Sequence, residues 1–226
     1  MDRILKLIAE RESDFPGALL KARDLLLELN SGEVGDGEVL SAQAEVHYWL
    51  GIYTPGAESR EKYLAQAVAY GKQATAMLPD SVAANFWFAA CMAAHGVVRG
   101  LMNSLPYLRP LELHGNRALE LDEAWFSAGP LRLMGRFYSR VPPWPVGPGD
   151  KKKGLALARR AVELAPGHLY NTVVLADAYL AARYFDEARE LLRSVLAVPE
   201  PRDFKLNHAR CQAEARHILE RLEQMV

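Results

Sequence analysis

The chain has 226 residues, half of them apolar, and a formal net charge of −1. That length buries a sizeable core in one domain or a short repeat array, and that composition excludes wholesale disorder. Near-neutral charge gives no global attraction for nucleic acid, so no nucleic-acid partner is expected.

The amino terminus, MDRILKLIAERESDF, alternates charges with Leu and Ile. It has no uninterrupted apolar stretch and no small-residue cleavage site, so it does not read as a secretory or lipoprotein leader. On this reading the protein is expected in the cytoplasm, or in the periplasm if a signal was removed. Residues 1–37 read as one or two amphipathic helices followed by a flexible connection, Asn30–Gly37. No window approaches about 18 consecutive apolar residues, so no membrane span is expected. Cys91 and Cys211 lie 120 positions apart and read as two buried thiols rather than a disulfide framework.

From residue 44 onward apolar positions recur at three and four, and Ala, Leu, Glu and Arg dominate the long segments. A Leu or Met followed by Gly or Ala then recurs, each time just before a Tyr: Leu50-Gly51 with Tyr53, Met134-Gly135 with Tyr138, Leu175-Ala176 with Tyr179. Such small residues let two helix backbones approach, which is the trace of stacked helical hairpins. The first hairpin, 44–79, pairs Gly51 with Ala67, Gly71 and Ala74. The second, 82–122, is degenerate, with Phe88-Ala89 in its first helix and Leu111, Gly115 and Ala118 in its second. The third, 125–166, pairs Met134-Gly135 with Gly154, Ala158 and Ala161, and Pro166 stops it. The fourth, 169–198, runs through Ala176 and Ala188, with Asp186 expected to cap its second helix.

The spacing from first-helix to second-helix small residue is 12 in the fourth hairpin, but 16, 22 and 19 in the first three. The excess in the second falls on Gly96–Pro110, an apolar insertion that must be buried in its own chain, in a partner or around a ligand. In the third it falls on 141–149, VPPWPVGPG, a loop that cannot continue a helix. Asp150 is placed to cap the helix that follows. Residues 203–226 form a charged helix that covers the end of the array. The expected fold is therefore all-α: one domain over 1–226, a right-handed superhelix of about four divergent tetratricopeptide-like hairpins with extra terminal helices.

The order of Gly100-Leu-Met-Asn-Ser-Leu105, Arg117-Ala-Leu-Glu-Leu-Asp122, Gly129-Pro-Leu-Arg-Leu-Met-Gly-Arg-Phe-Tyr138 and the Pro-rich loop into Gly149-Asp150 resembles one family. It is the tetratricopeptide-like T component associated with tripartite ATP-independent periplasmic (TRAP) transporters. The resemblance spans roughly residues 44 to 198. It implies a non-enzymatic helical protein that binds a small apolar ligand and works with the transporter's substrate-binding P component. A cytoplasmic relative with a similar helical body, akin also to regulators of microtubule dynamics, is the alternative: an oligomeric scaffold or adaptor with no transport role.

Between Arg99 and Arg160 eleven Lys or Arg face five Asp or Glu, whereas the first 98 residues are acidic on balance. Within that basic stretch Arg132, Arg136 and Arg140, spaced by four, share one helix face. First helices of such hairpins line the concave surface, where three guanidiniums would hold a carboxylate or an acidic peptide end. Equally, they would pair with Glu or Asp of a neighbouring helix. Tyr48, Phe86, Tyr170 and Asp177 occupy the corresponding faces of the other hairpins, either as an aromatic groove or as ordinary core. Trp144 reads as a lid over that groove or as the anchor of its own loop.

No metal or cofactor site is expected. His208 and Cys211 are one turn apart, but His217 lies half a revolution round the same helix. Gly147–Gly154 lacks the preceding strand and the closing Gly-Lys-Ser/Thr of a phosphate loop. No Ser or Cys sits in a recognisable nucleophile motif, so no catalytic residue is assigned.

Overall fold

A computed structural model describes residues 1–29 and 36–225, apart from the side chain of Leu101. The described residues are all-α and form two compact units, Met1–Leu121 and Asp122–Val226. The expected Asn30–Gly37 connection lies outside them except at its end, where Asp36 accepts from Glu38 N at 2.8 Å and caps the next helix. Among the described residues no helix is long and apolar enough to cross a membrane.

The first unit holds α1 (Asp2–Glu10), α2 (Gly17–Leu29), α3 (Gly37–Tyr53), α4 (Ala57–Met77), α5 (Val82–Arg99), α6 (Leu101–Ser104), a 3-10 turn (Leu105–Tyr107) and α7 (Leu108–Leu121). Helices α1 and α2 are amphipathic, burying Ile4 and Ile8, and Leu19, Ala22 and Leu26. Helices α3 and α5 are buried on nearly every side and form the centre of the unit. Leu40, Ala74 and Ala84 pack together where α3, α4 and α5 meet. The small residues do what their spacing implies: a Cβ on Gly71 would stand 2.9 Å from Phe88 Cα, so α4 seats on α5 only because that atom is missing.

The apolar insertion is buried only in part. It folds back on α5 through His95 Nδ1 and the Tyr107 hydroxyl, 2.9 Å apart, yet Val97 and Met102 remain 80% and 77% exposed. Helix α5 runs on to Arg99 and α7 starts at Leu108, so the insertion is a short tip between two helices, too small to bury its own apolar side chains.

The second unit holds α8 (Trp125–Arg140), α9 (Lys151–Leu164), α10 (Leu169–Ala181), α11 (Phe185–Ala197) and α12 (Lys205–Glu223). Near its start α8 takes a left-handed turn, with φ of 52°, 53° and 60° at Phe126, Ser127 and Ala128. None of the three is glycine, so the turn carries a steric cost of roughly 1–2 kcal/mol per residue. The right-handed helix then runs from Gly129, with Pro130 tolerated in its first turn. Asp150 accepts from Lys152 N and Lys153 N, both at 3.0 Å, and caps α9.

Val173, Ala176, Leu180, Ala188, Leu192 and Val195 join Cys211, Ala215, Ile218 and Leu222 in one core shared by α10, α11 and α12. Both cysteines of the chain are buried and neither forms a disulfide. One cap differs from expectation: the residue at the N-cap position of α11 is Tyr184, not Asp186. Asp186 instead sits inside the first turn, where the helix dipole favours its charge, and pairs with Arg189 at 2.6 Å.

Candidate functional site

In the second unit Arg132, Arg136 and Arg140 lie on one face of α8, and α10 places Tyr170, Asn171 and Asp177 opposite them. Asp177 is 2% exposed, and Arg140 grips it with two bonds, Nε to Oδ2 at 2.5 Å and Nη2 to Oδ1 at 2.6 Å. This two-pronged geometry is the strong form of a charge-assisted pair. Arg136 Nε stands 3.9 Å from the same carboxylate, and Arg136 is also ion-paired with Glu214.

Tyr170 is the second centre. Its hydroxyl accepts from Arg136 Nη1 at 2.5 Å and from Arg210 Nη2 at 2.6 Å, while the Arg210 guanidinium stacks 4.1 Å from its ring centroid. Burial pushes the phenol pKa up, but the charges of Arg136, Arg210 and Arg132 outweigh it, and the net shift is downward. Arg132 is 7% exposed and serves the scaffold. Its Nη1 donates to Ser127 O at 3.0 Å and to Asn171 Oδ1 at 2.6 Å, and Asn171 Nδ2 also donates to Ser127 O at 3.2 Å. The left-handed turn is thus held from α10 and from within α8. Nearby, burial and Arg132 push His168 down to about 4, which leaves it neutral at pH 7.

The structure therefore brings five of the expected site residues together: Arg132, Arg136, Arg140, Tyr170 and Asp177. Val173, one turn before Asp177 on α10, belongs to the core instead. Trp144 stands 87% exposed on the 141–149 loop, so it neither covers the cluster nor anchors its own loop. Three residues of α12 were missed, Arg210, Glu214 and Arg221; Arg221 Nη1 comes within 4.0 Å of Asp177. Their spacing of four and seven puts them on one helix face, a signal visible in the chain had that helix been read as more than a cover.

Tyr48 and Phe86 belong to the first unit, in a stack of aromatic rings. Tyr48 meets Trp49 and Trp87 at 4.9 and 5.4 Å, Phe86 meets Trp87 at 5.0 Å, and Trp49 stacks on Tyr53 at 5.7 Å. Phe86 is 5% exposed, so it packs as core. The Arg11 guanidinium lies 4.3 Å over the Trp49 ring, and Trp49 Nε1 donates to Glu45 Oε1 at 3.2 Å. Burial pushes Glu45 up to about 7 against the smaller lowering effects of Trp49 and Arg11.

That shift carries a sign. Between pH 4.5 and 7 the unfolded chain ionises Glu45 and the native state does not, so native stability falls as pH rises through this window. Discounted for partial exposure, the loss is about 2 kcal/mol. Glu45→Gln is expected to lose about 2 kcal/mol less than the wild type between pH 4.5 and pH 8 in urea unfolding; parallel pH profiles would refute this.

Among the described residues no group of three or more His, Cys, Asp or Glu is placed to hold a metal. His208 Nε2 instead lies 3.0 Å from Val198 O, beside Gln212 Nε2 at 3.3 Å, where it joins the end of α11 to α12.

No curated protein matches the chain. A family model described as regulator of microtubule dynamics protein 1-3 matches residues 6–142, more than half of the sequence. This match overturns the expected membership in the TRAP-transporter T component, and with it support for a substrate-binding P component as partner. The Gly-Leu, Arg-Ala-Leu and Gly-Pro-Leu-Arg segments behind that expectation are helix starts and close-packing positions that divergent helical hairpins share, so they do not tell the two families apart. The chain belongs to the regulator of microtubule dynamics protein 1-3 family.

Proposed function

We propose that this protein is a non-enzymatic helical scaffold or adaptor with no transport role, and that it holds an acidic segment of a partner protein on the face shared by α8, α10 and α12. The observation that carries this reading is the convergence of Arg136 and Arg140 of α8 with Arg210 and Arg221 of α12 on Tyr170 and Asp177 of α10. Guanidiniums pre-set in this way exchange one carboxylate partner for another with little loss of side-chain freedom. Glu214, which holds Arg136 from the edge of the cluster, stands where an incoming carboxylate would compete. The family's name ties its members to microtubule dynamics, which makes assembled microtubules the first protein surface to try.

Co-sedimentation with microtubules and titration with polyglutamate test this. The wild type is expected to bind both, more weakly as salt rises. Arg136→Ala, at a side chain 27% exposed, is expected to weaken binding about tenfold while leaving the fold intact. Wild-type binding to neither, or unchanged binding by Arg136→Ala, would sink the reading.

A further inference from the structure

The 141–149 loop after α8 is held rigidly outward. Gly149 N donates to Pro142 O at 3.0 Å, Asp150 N to Tyr138 O at 3.0 Å, and Val146 N to Pro143 O at 3.1 Å. A Cβ at Gly149 would fall on the backbone of Val141 and Pro142, so the loop closes through a point only glycine can occupy. At its tip Trp144 is 87% and Val146 is 65% exposed. Fixing an indole in water is unfavourable, and nothing in the packing of the second unit requires it.

The charge beside that tip has one sign. Lys151, Lys152 and Lys153 follow at the start of α9, and the one acid beside them in sequence, Asp150, is occupied as a helix cap. All three lysines are exposed. Lysines in a first turn oppose the helix dipole, so local stability argues against them at this place. An exposed Trp and Val on a hydrogen-bonded loop, next to exposed Lys151 and Lys152 and to Lys153, whose ammonium rests 3.8 Å over the Tyr138 ring, match the two parts of an anionic bilayer interface. The indole suits the headgroup level, and the ammonium groups suit the negative surface.

We propose that this loop and the lysines of α9 form a peripheral docking site for an anionic phospholipid membrane. A bilayer fits the site better than a protein does. A nine-residue loop presents far less than the roughly 800 Å² per partner that a stable protein interface takes, whereas a wedge with adjacent cations needs no shaped pocket opposite it. The site uses neither Tyr170 nor Asp177, so it stands or falls apart from the scaffold reading.

The test is vesicle co-sedimentation of the full chain with phosphatidylcholine vesicles, with and without about one third phosphatidylglycerol. The wild type is expected to bind the anionic vesicles at least about tenfold better, with a blue shift of tryptophan emission and weakening in salt. Trp144→Ala is expected to lower binding about tenfold and abolish the blue shift. Lys151→Glu with Lys152→Glu is expected to lower it about twentyfold or more. Both variants should melt at or above the wild-type temperature, since the substituted side chains are exposed and Glu suits the first turn of α9. A wild type that ignores anionic vesicles, or a Trp144→Ala that binds them as well as the wild type, would overturn the proposal.

Discussion

Asp177→Ala is expected to lower the unfolding free energy by about 3 kcal/mol, with the denaturant slope unchanged. The carboxylate is 2% exposed and holds both prongs of Arg140, with Arg136 and Arg221 at the outer edge of ion-pair range. Removing it strands cations that folding has partly dehydrated, which costs more than the lost bonds alone. The loss falls at the lower end of the usual range for a buried pair because Arg140 and Arg221 keep 40% and 38% of their side-chain surface and can rehydrate. Asp177→Asn keeps part of the hydrogen bonding and is expected to lose less, about 2 kcal/mol. Urea unfolding measures both, and a loss under about 1 kcal/mol for Asp177→Ala would mean that the network behaves as a surface ion pair.

The same variant separates stability from binding. With Asp177 gone, the α8, α10 and α12 face loses one of its own acids, so a protein that still folds should hold polyglutamate more tightly than the wild type. Weaker binding in a folded Asp177→Ala would argue that this carboxylate positions the guanidiniums for the partner.

Most of this architecture was legible from short-range signals. The 3.6-residue period marks each long helix, and Asp150 announces a helix start through local hydrogen bonds that depend on two or three residues; Asp36, read only as part of a flexible connection, caps α3 by the same kind of bond. The left-handed turn at Phe126–Ala128 gave no such signal. It contains no glycine, and what holds it is Asn171, 44 positions from Ser127, together with Arg132. Likewise the three arginines of α8 share a face by spacing alone, but their partners come from α10 and α12, 34 to 78 residues further on. Whether such a stripe meets solvent or carboxylates is a tertiary fact. The lift on Glu45 is of the same kind, since it comes from burial beside Trp49 under an arginine of the first helix connection.

Gly135→Val is the other large effect, about 3 kcal/mol or more of lost stability. A Cβ at this position would lie 2.9 Å from Ala158 N and 3.2 Å from Gly154 O, and both are backbone atoms of α9 that no rotamer change can move aside. Gly154 returns the constraint, since its own Cβ would stand 2.7 Å from Ser139 N and 2.8 Å from Gly135 O. The two helices touch backbone to backbone along this seam, so the branched side chain can be admitted only by pushing α8 off α9. That movement reaches the site, because Arg136 follows Gly135 directly and Arg140 lies just over a turn beyond it on α8, and their bonds to Tyr170 and Asp177 are 2.5 to 2.6 Å long. Gly135→Val should therefore lose polyglutamate binding even at temperatures where circular dichroism still reports full helix, whereas Gly135→Ala, adding a single carbon, should lose about half as much stability. A Gly135→Val protein that melts and binds like the wild type would show that the helices have slack here, and that the recurring small residues of this chain are not what sets the spacing of its hairpins.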